Sequence, residues 1–256
     1  ALLLGAITWL DDLRGLTVLS RLAVQAVAVF GAIFVLPPDA LVFQGWLPLV
    51  LDRAVAALLW LWFVNLFNFM DGIDGLTGAA TTIIAGGAAL VLWMGNHAGE
   101  PMPQALALAG AAIGFLAWNW PPARIFLGDV GSIGLGFLVG WLLLRLAIEG
   151  FWAAALLLPL YHFADATLTL ALRLARGDRV WLASRAHFYQ RGVAAFSGHA
   201  PVLLRILAAK LVLVALAVLA TAQQEFTLPA LVAGGLIVVV TLWHFATAAR
   251  RVGDAA

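Results

Sequence analysis

The sequence predicts an all-α protein, a polytopic bundle of membrane-spanning helices. Hydrophobic residues make up 64% of its 256 residues and charged residues only 11%, whereas soluble domains carry roughly 25% charge. The mean hydropathy is +1.03. Apolar runs of about 20 residues, the length that crosses a bilayer, recur along the whole chain. Together these three observations favour a membrane bundle over a soluble fold.

Breaks between the apolar runs divide the chain into predicted helices. Clusters such as Pro37-Pro38 and the glycine at Gly150 interrupt the runs. They leave about eight full spans and the end of a ninth, residues 1–10. The eight predicted spans are 16–36, 46–66, 76–95, 103–120, 131–148, 151–174, 202–222 and 228–248. We expect a single membrane-embedded domain over residues 1–256.

The start of the chain, the absence of Cys and the low net charge each exclude a kind of segment, site or partner. The chain begins at Ala1 inside an apolar run, without the Met and basic region that open a signal peptide, and we interpret it as N-terminally truncated. It contains no Cys, which excludes disulfides, thiolate zinc sites and Cys nucleophiles. The net charge of +1, without basic runs interleaved with aromatics, predicts no nucleic-acid partner.

If each predicted span crosses the bilayer once, nearly all Lys and Arg residues fall on one side of the membrane. One side holds residues 11–12, 65–78 and 121–131, and also the loop 176–201 and the C-terminus; we name it the basic side. Of the 14 Lys and Arg residues, only Arg53 and Arg145 belong to the opposite side. Because positively charged loops stay inside, the basic side is predicted to be cytoplasmic.

The polar stretch at residues 65–78, NLFNFMDGIDGLTG, is the strongest functional signal. It carries polar residues at three-residue intervals: Asn65, Asn68, Asp71 and Asp74. On one straight helix these side chains would drift about half a turn, since each step falls roughly 60° short of a full turn. Gly72 and Gly75 allow the backbone to turn, so we expect several oxygen ligands to converge here. Such ligands suit Mg²⁺ shared with substrate phosphates.

Two further acidic motifs lie on the basic side. Asp11 and Asp12 repel each other, so a cation or a shared proton is a natural partner, and a solvated boundary pair is the alternative. In residues 126–132, FLGDVGS, Asp129 is either a helix N-cap or a metal ligand. In the functional interpretation, Phe126 offers a ring on which a base can stack.

An acid within a predicted span and a basic loop complete the set of candidates. Asp165 lies inside the span 151–174, where a carboxylate is either functional or pairs helices, and the sequence leaves both roles open. The loop carries further candidates: Arg185, His187, Arg191 and His199. Basic loops often reflect topology alone, but opposite a carboxylate and metal cluster they suit a diphosphate.

These motifs resemble the polyprenyl-phosphate N-acetylhexosamine-1-phosphate transferases. The matching motifs are NxxNFMDGIDGL at 65–76, FLGDVGS at 126–132, the pair of Asp residues, and HFYQR at 187–191. The resemblance runs over essentially the whole chain, in order. It implies transfer of a sugar-1-phosphate from a UDP-N-acetyl sugar to undecaprenyl phosphate with release of UMP, as the first step of a cell-envelope polysaccharide. It also implies a site on the cytoplasmic face of the bacterial inner membrane.

The same resemblance implies a cofactor and partners. The cofactor is Mg²⁺, with Mn²⁺ as the alternative ion. Beyond the two substrates, the surrounding membrane lipid is a partner, and a homodimer is a candidate assembly. Ser184 stands three residues before His187, where many family members carry another His, so the chain resembles the O-antigen-initiating branch more than the peptidoglycan translocase.

The resemblance assigns roles residue by residue. The implied roles are metal binding for Asn68 and Asp129, uridine contacts for Asp74 and Phe126, diphosphate and sugar contacts for His187 and Arg191, and catalysis for Asp11, Asp12 and Asp71. Asp11 matches the residue proposed to deprotonate the lipid phosphate. A second tier contains Asn65, Asp165, Arg185 and His199.

Other interpretations remain open at this point. The reaction could proceed by in-line attack of the lipid phosphate or through a phospho-aspartate. A cation-coupled transporter is the rival class, because broken helices and intramembrane acids occur there. The carboxylates, however, gather at the basic side and not at midplane. A catalytically inactive scaffold of a polysaccharide assembly is the other rival.

Overall fold

The computed structural model describes residues 4–6, 8–9, 17–182, 184 and 186–253, and within these ranges it is helical, without a strand. The helices are α1 (Val18–Ile33), α2 (Leu49–Phe69), α3 (Leu76–Met94), α4 (Pro101–Asn119), α5 (Gly128–Ile148), α6 (Trp152–Leu157), α7 (Leu160–Ala175), α8 (Phe188–Ala195), α9 (His199–Ala222) and α10 (Thr227–Gly253). A 3₁₀ turn, Gln224–Phe226, joins the last two. The predicted all-α class is confirmed.

Six helical segments of the described chain are long and apolar enough to cross a membrane, not the eight predicted. They are α2, α3, α4, α5, α9 and the segment that contains α10. The predicted span 16–36 forms only the 16-residue helix α1, which begins after the Thr17 cap. The predicted span 151–174 is divided between α6 and α7, where Pro159 supplies no backbone N–H to continue the first helix. The protein is nonetheless a polytopic helical membrane protein.

Close approach of α2 and α5 brings the two strongest sequence motifs together. A Cβ added at Gly136 of α5 would lie 3.2 Å from the Cα of Val64, and one added at Gly140 would collide with the Trp60 ring. Trp60 Nε1 also donates to the carbonyl of Phe137 at 3.0 Å. Small residues allow helices to pack backbone against backbone in a membrane. The end of α2 therefore lies beside the start of α5.

At the opposite end of the bundle, charged side chains join neighbouring helix ends and loops. Arg145 lies 3.5 Å from Glu100 and 3.8 Å from Glu149, and Glu149 lies 3.0 Å from His97. Arg53 donates to two loop carbonyls, at 2.6 and 2.7 Å. Both basic residues that the sequence assigns to this end are therefore engaged locally. The polar motifs of residues 65–78 and 126–132 lie at the other end.

Candidate active site

Helix ends from across the sequence meet around a cavity of about 370 Å³. The cavity lies where α2 and α4 end and where α3, α5 and α9 begin, and the loop between α2 and α3 forms part of its wall. Its polar and aromatic lining residues are Asn68, Asp71, Asp74, Asn119, Phe126, Asp129 and His199. Helix ends carry unpaired backbone groups, so a polar cavity at this place is physically reasonable.

Asn68 and Asp129 form the most direct link across this cavity. Asn68 Nδ2 donates to Asp129 Oδ1 at 3.0 Å and to Ser132 Oγ at 2.7 Å. Ser132 in turn donates to the carbonyl of Gly128, one turn earlier on α5. Both bonds of Asn68 use its amide nitrogen, so its amide oxygen makes no hydrogen bond to the described part of the chain. That oxygen is available to a cation.

Arg21 of α1 reaches the same carboxylate from another side. Its NH1 lies 3.2 Å from Asp129 Oδ2, and both side chains are a little over one third exposed. Asp129 is therefore held at each oxygen, by an amide at one and by a guanidinium at the other. The N-cap interpretation of Asp129 is not needed, because its side chain reaches α1 and α2, not its own backbone.

The loop after α2 turns where the glycines predict it. The helix ends at Phe69, and Gly75 has φ +78°, a conformation that favours glycine. The Gly75 N–H donates to Asn119 Oδ1 at 3.0 Å, and Asn119 Nδ2 donates to the carbonyl of Ile125 at 2.8 Å. One amide side chain therefore fixes the turn between α2 and α3 to the loop that carries Phe126.

Asp74 lies beyond that turn and makes a separate set of contacts. Its Oδ2 accepts the backbone N–H of Ala123 at 3.0 Å, and its Oδ1 lies 3.2 Å from His199 Nδ1. The same Nδ1 lies 3.3 Å from the Asp74 backbone nitrogen. A neutral His199 ring accepts that N–H, and a protonated ring forms an ion pair with the carboxylate. Asp74 and Asn68 thus line one cavity through different partners.

Asp71 lies between these two groups and is unusually placed for an acid. Burial raises its pKa to about 6, and the negative charge of Asp129 contributes to the rise. The Thr77 hydroxyl offsets part of the rise, as a donor that faces this carboxylate but lies outside hydrogen-bond geometry. A cation bound in the cavity would therefore favour the charged form of the Asp71 carboxyl.

The donor set fits Mg²⁺. Two carboxylates, Asp71 and Asp129, and the amide oxygen of Asn68 belong to the cavity wall. The described residues contain no group of three or more His, Cys, Asp or Glu side chains arranged to hold a metal by themselves. Mg²⁺ is commonly held by one or two carboxylates together with substrate phosphates and water, so a sparse set of oxygen ligands is what it requires.

Phe126 presents an aromatic face at the rim of the cavity. Its side chain is 74% exposed although it is large and apolar. An exposed ring beside a polar cavity gives a planar ligand a surface to stack on. The predicted pairing of Phe126 with Asp74 is consistent with this position, since both residues belong to the same cavity.

Other predicted residues lie away from the cavity or outside the described residues. Asp11, Asp12 and Arg185 fall on residues that the structure does not describe. Asn65 donates to Gln25 Oε1 and to the carbonyl of Leu61, both at 2.8 Å, and thereby ties α2 to α1.

Neither residue that the HFYQR motif assigns to diphosphate lines the cavity. His187 is 5% exposed, and its Nδ1 lies 3.4 Å from Asp165 Oδ1 without the alignment of a good hydrogen bond. Arg191 donates its Nε to the carbonyl of Ala186 at 2.9 Å and lies over the Phe188 ring. The histidine on the cavity wall is His199, which the sequence placed in the second tier.

A second, larger cavity of about 680 Å³ begins at the same two side chains. Asn68 and Asp129 belong to both cavities, and Arg21 lies where they meet. The second cavity runs between α1, α2, α5 and α7 and is mostly apolar. Its apolar lining includes Leu22, Leu58, Leu61, Trp62, Phe69 and Leu170. A polar cavity and an apolar groove thus share a charged junction.

Sequence reasoning missed the roles of Arg21 and Asn119. Arg21 was counted only among the basic residues of its side, yet an arginine within an apolar run is a usable signal. Asn119 stands beside the Pro-Pro break and has no pattern that would single it out. Its partner Gly75 is 44 residues away, so only the folded structure relates them.

Comparison with known protein families identifies the family of this chain. The model of glycosyl transferase family 4 matches residues 1–147, which is more than half of the chain. The matched region contains Arg21, Asn68, Asp74 and Asp129, whereas His199 lies beyond it. Membership implies transfer of a sugar-1-phosphate to a polyprenyl phosphate. The chain belongs to glycosyl transferase family 4, the polyprenyl-phosphate N-acetylhexosamine-1-phosphate transferases.

Proposed function

We propose that this protein transfers N-acetylhexosamine-1-phosphate from a UDP-sugar to undecaprenyl phosphate and releases UMP, as the initiating step of a cell-envelope polysaccharide. The observation that carries the proposal is the junction at Asn68 and Asp129, where a polar cavity meets an apolar groove. A reaction between a water-soluble nucleotide sugar and a membrane lipid needs two such sites that open onto one place.

The polar cavity suits the nucleotide sugar. Phe126 supplies an exposed ring for the uracil base, and Asp74 supplies a carboxylate for the polar edge of that base. His199 adds a ring whose Nε2 can donate to phosphate, because its Nδ1 faces Asp74. With the base at this wall, the diphosphate extends toward Asp71 and Asp129. The roles of His187 and Arg191 in binding diphosphate remain predictions, since neither lines the cavity.

Asn68 and Asp129 are the residues that would hold Mg²⁺, with Asp71 beside them. When bound, the ion would neutralise part of the charge of the diphosphate. Asn68 is oriented for this by Ser132, which accepts from its amide nitrogen and leaves the oxygen available. Asp129 is kept in place by Arg21. The protein's own contribution is therefore to fix the two ligands before substrate arrives.

The apolar groove suits the polyprenyl chain. Its leucine-rich walls can cover isoprene units, and its charged end lies at Arg21. Guanidinium donors match phosphate oxygens well, so the lipid phosphate is expected to stop there. That end adjoins the wall where the diphosphate would lie.

The chemistry conserves the number of phosphoanhydride bonds. An oxygen of the lipid phosphate attacks the β-phosphorus of the UDP-sugar, the bond from that phosphorus to the bridging oxygen breaks, and UMP leaves with the bridging oxygen. Residues of the site mainly position two anions and balance their charge. Asp11 remains the proposed acceptor of any proton on the lipid phosphate.

The surroundings of Asp129 support the one-step route. Both of its oxygens are engaged, one by Asn68 and the other by Arg21. The two hydrogen bonds hold this carboxylate in place and lower its reactivity as a nucleophile, which disfavours a phospho-aspartate on Asp129, while lone pairs remain for a cation. Labelled phospho-enzyme formed from UDP-sugar without lipid would support the two-step route instead.

The two rival functions lack such support. A transporter places its ion site near the bilayer midplane, whereas these acids gather at helix ends. Asp165, which does lie within a predicted span, is surrounded by hydrogen-bond donors of the protein itself. An inactive scaffold would need neither an arranged metal-ligand pair nor a groove that ends at it.

Positive-inside topology supports a cytoplasmic site in the bacterial inner membrane, where UDP-sugars are available. The test is UMP release by the full-length gene product, given undecaprenyl phosphate, Mg²⁺ and a panel of UDP-N-acetyl sugars. Release should require all three components and be lost in Asp129→Asn. The control is Asp178→Asn, which removes a half-exposed carboxylate outside both cavities. Full turnover by Asp129→Asn would overturn the metal assignment.

A further inference from the structure

Asp165 holds the start of α8 from inside the membrane bundle. Its carboxylate has no solvent exposure. Oδ1 accepts the backbone N–H of Phe188 and Oδ2 accepts the backbone N–H of Tyr189, each at 3.1 Å. These are among the first N–H groups of α8, which have no partner within their own helix. The side chain of one helix therefore caps another that begins 23 residues later.

Further donors complete the surroundings of this carboxylate. Tyr161 donates its hydroxyl to Oδ2 at 3.1 Å, and Thr169 donates to Oδ1 at 3.3 Å. Each oxygen thus receives one backbone and one side-chain donor, which suits a carboxylate because it accepts at both oxygens and donates nothing. Burying such a group is costly unless its partners are fixed. Four donors from the protein thus satisfy the buried carboxylate.

Helix α8 depends on this support because it is short. It has 8 residues, fewer than an isolated helix needs to be stable in water. Negative charge at a helix N-terminus is also favourable, because the unpaired N–H groups there carry partial positive charge. Asp165 supplies both the hydrogen bonds and the charge.

Tyr189 carries the support from α8 to the candidate active site. Its side chain is fully buried, and its hydroxyl donates to the carbonyl of Phe69 at 3.1 Å. A Cβ added at Gly72 would collide with that hydroxyl, so the backbone of the loop lies directly against it. Burial, with the negative charges of Asp165 and Asp71, raises the pKa of Tyr189 well above its usual value. The hydroxyl therefore stays a donor.

We infer that Asp165 is a positioning residue: acting through Tyr189, it fixes the backbone of residues 69–72 and so places Asn68 and Asp71 in the cavity. The inference rests on the proposed function for its effect on turnover. The contacts form one continuous path, from the Asp165 carboxylate through the start of α8 and the Tyr189 hydroxyl to the carbonyl of Phe69. The HFYQR motif then supports the site from outside the cavity, through the contact of Tyr189 with Phe69.

The kinetic test is a double-mutant cycle in the full-length protein. Asp165→Asn replaces an accepting oxygen by a donor, so one of the two backbone N–H groups loses its partner. Tyr189→Phe keeps the ring and removes only the hydroxyl that reaches Phe69. Each change should lower kcat/KM for the UDP-sugar about 10- to 100-fold, since small displacements near reacting groups cost this much. The double variant should lose no more activity than the more severely impaired of the two single variants, because both changes act on one path.

Two kinetic outcomes would overturn the inference. Losses that multiply in the double variant would mean that the two residues act independently. Wild-type kcat/KM in Tyr189→Phe would mean that the hydroxyl does not position the loop. Asp178→Asn is the matched control for removing an acid near α7, and it should keep wild-type kinetics.

A second measurement does not depend on turnover. Hydrogen exchange should speed up at the amides of Phe188 and Tyr189 in Asp165→Asn but not in Tyr189→Phe. The loop amides of residues 70–76 should exchange faster in both variants and not in the control. An unchanged loop in Tyr189→Phe overturns the inference even if the enzyme is active. If the wild type releases no UMP, the proposed function fails while this exchange pattern still decides the role of Asp165.

Discussion

Asn68 Nδ2 lies 3.0 Å from Asp129 Oδ1, although the two residues are 61 positions apart in the sequence. The contact joins the end of α2 to the start of α5 and marks the junction of the polar cavity with the apolar groove. It leaves the amide oxygen of Asn68 for a cation and orients the carboxylate next to it.

Replacing Asn68 by Ala should weaken metal binding by at least about 10-fold, because the change removes a ligand and the group that orients Asp129. The measurement is titration of Mn²⁺ by EPR, with UDP present as the diphosphate. Asn96→Gly is the control, since Asn96 lies in a turn with φ +59°, at the other end of α3. Equal Mn²⁺ affinity in Asn68→Ala and the wild type would refute the assignment.

Replacing Phe126 by Leu should raise KM for the UDP-sugar about 5- to 150-fold and change kcat little. Stacking of a base on an aromatic ring contributes roughly 1–3 kcal/mol, and the loss affects binding before reaction. Thermal stability should not fall, because the ring is 74% exposed. Phe34→Leu is the matched control, as Phe34 is also exposed and lies outside both cavities. A kcat effect without a KM effect would contradict the stacking role.

Arg21→Gln should raise KM for undecaprenyl phosphate more than KM for the UDP-sugar, because Arg21 would contact the lipid phosphate directly and affects the nucleotide sugar only through Asp129. Charge-assisted hydrogen bonds contribute about 1.5–3 kcal/mol, which corresponds to roughly 10- to 150-fold in KM. The measurement is initial rate against each substrate in turn. Arg205→Gln should change neither KM, because Arg205 stacks on Phe196 and lines neither cavity. An equal rise in both KM values for Arg21→Gln would place Arg21 at the nucleotide instead.

Ionisation of Asp71 should lower the free energy of unfolding as the pH rises. Its folded pKa of about 6 lies above the ordinary 3.8, so the folded state holds this proton more tightly than the unfolded state. The stabilisation is complete below about pH 3.8 and is lost as pH rises through 6, by up to about 3 kcal/mol.

Asp71→Asn cannot ionise and should escape that loss. In EDTA, its melting temperature relative to the wild type should rise by several degrees between about pH 4 and pH 7. Added Mg²⁺ should then restore the wild type at pH 7, because a bound cation favours the carboxylate. A difference that stays constant across this pH range would contradict the raised pKa of Asp71.

The sequence allows much of the cavity to be predicted. The three-residue spacing and the glycines of residues 65–78 predict a turn after which several polar side chains converge, and Gly75 does turn there with φ +78°. These features are local, so short-range rules reach them. The proximity of Asn68 to Asp129 was inferred only through the family resemblance, since no local rule joins α2 to α5.

The histidines show where sequence reasoning stops. The HFYQR motif suggests that His187 faces the diphosphate, but in the structure His199 lines the cavity and His187 contacts Asp165. His187 lies at the start of α8, where Asp165, 23 residues before Phe188, holds the backbone, so the local motif does not reveal where the ring lies. Arg21 was missed for the same reason, because its partner Asp129 is 108 residues away.

Helix lengths were overestimated where hydrophobicity was the only guide. Residues 16–36 and 151–174 are apolar enough to span, yet α1 has 16 residues and the second segment divides at Pro159. A hydropathy average does not register that a proline lacks a backbone N–H, but the missing donor interrupts the helix at Pro159. The division matters for function, since α7 begins after it and carries Asp165.

In the proposed reaction a sugar-1-phosphate, and not a free sugar, moves to the lipid. The most direct test uses a UDP-N-acetyl sugar labelled with ³²P in the β-phosphate, mixed with undecaprenyl phosphate, Mg²⁺ and the full-length protein. The account predicts that the label moves to the organic phase with the lipid and that unlabelled UMP is released, and that Asp129→Asn abolishes both. Labelled UDP in the aqueous phase, or no transfer from any UDP-N-acetyl sugar tested, would contradict it.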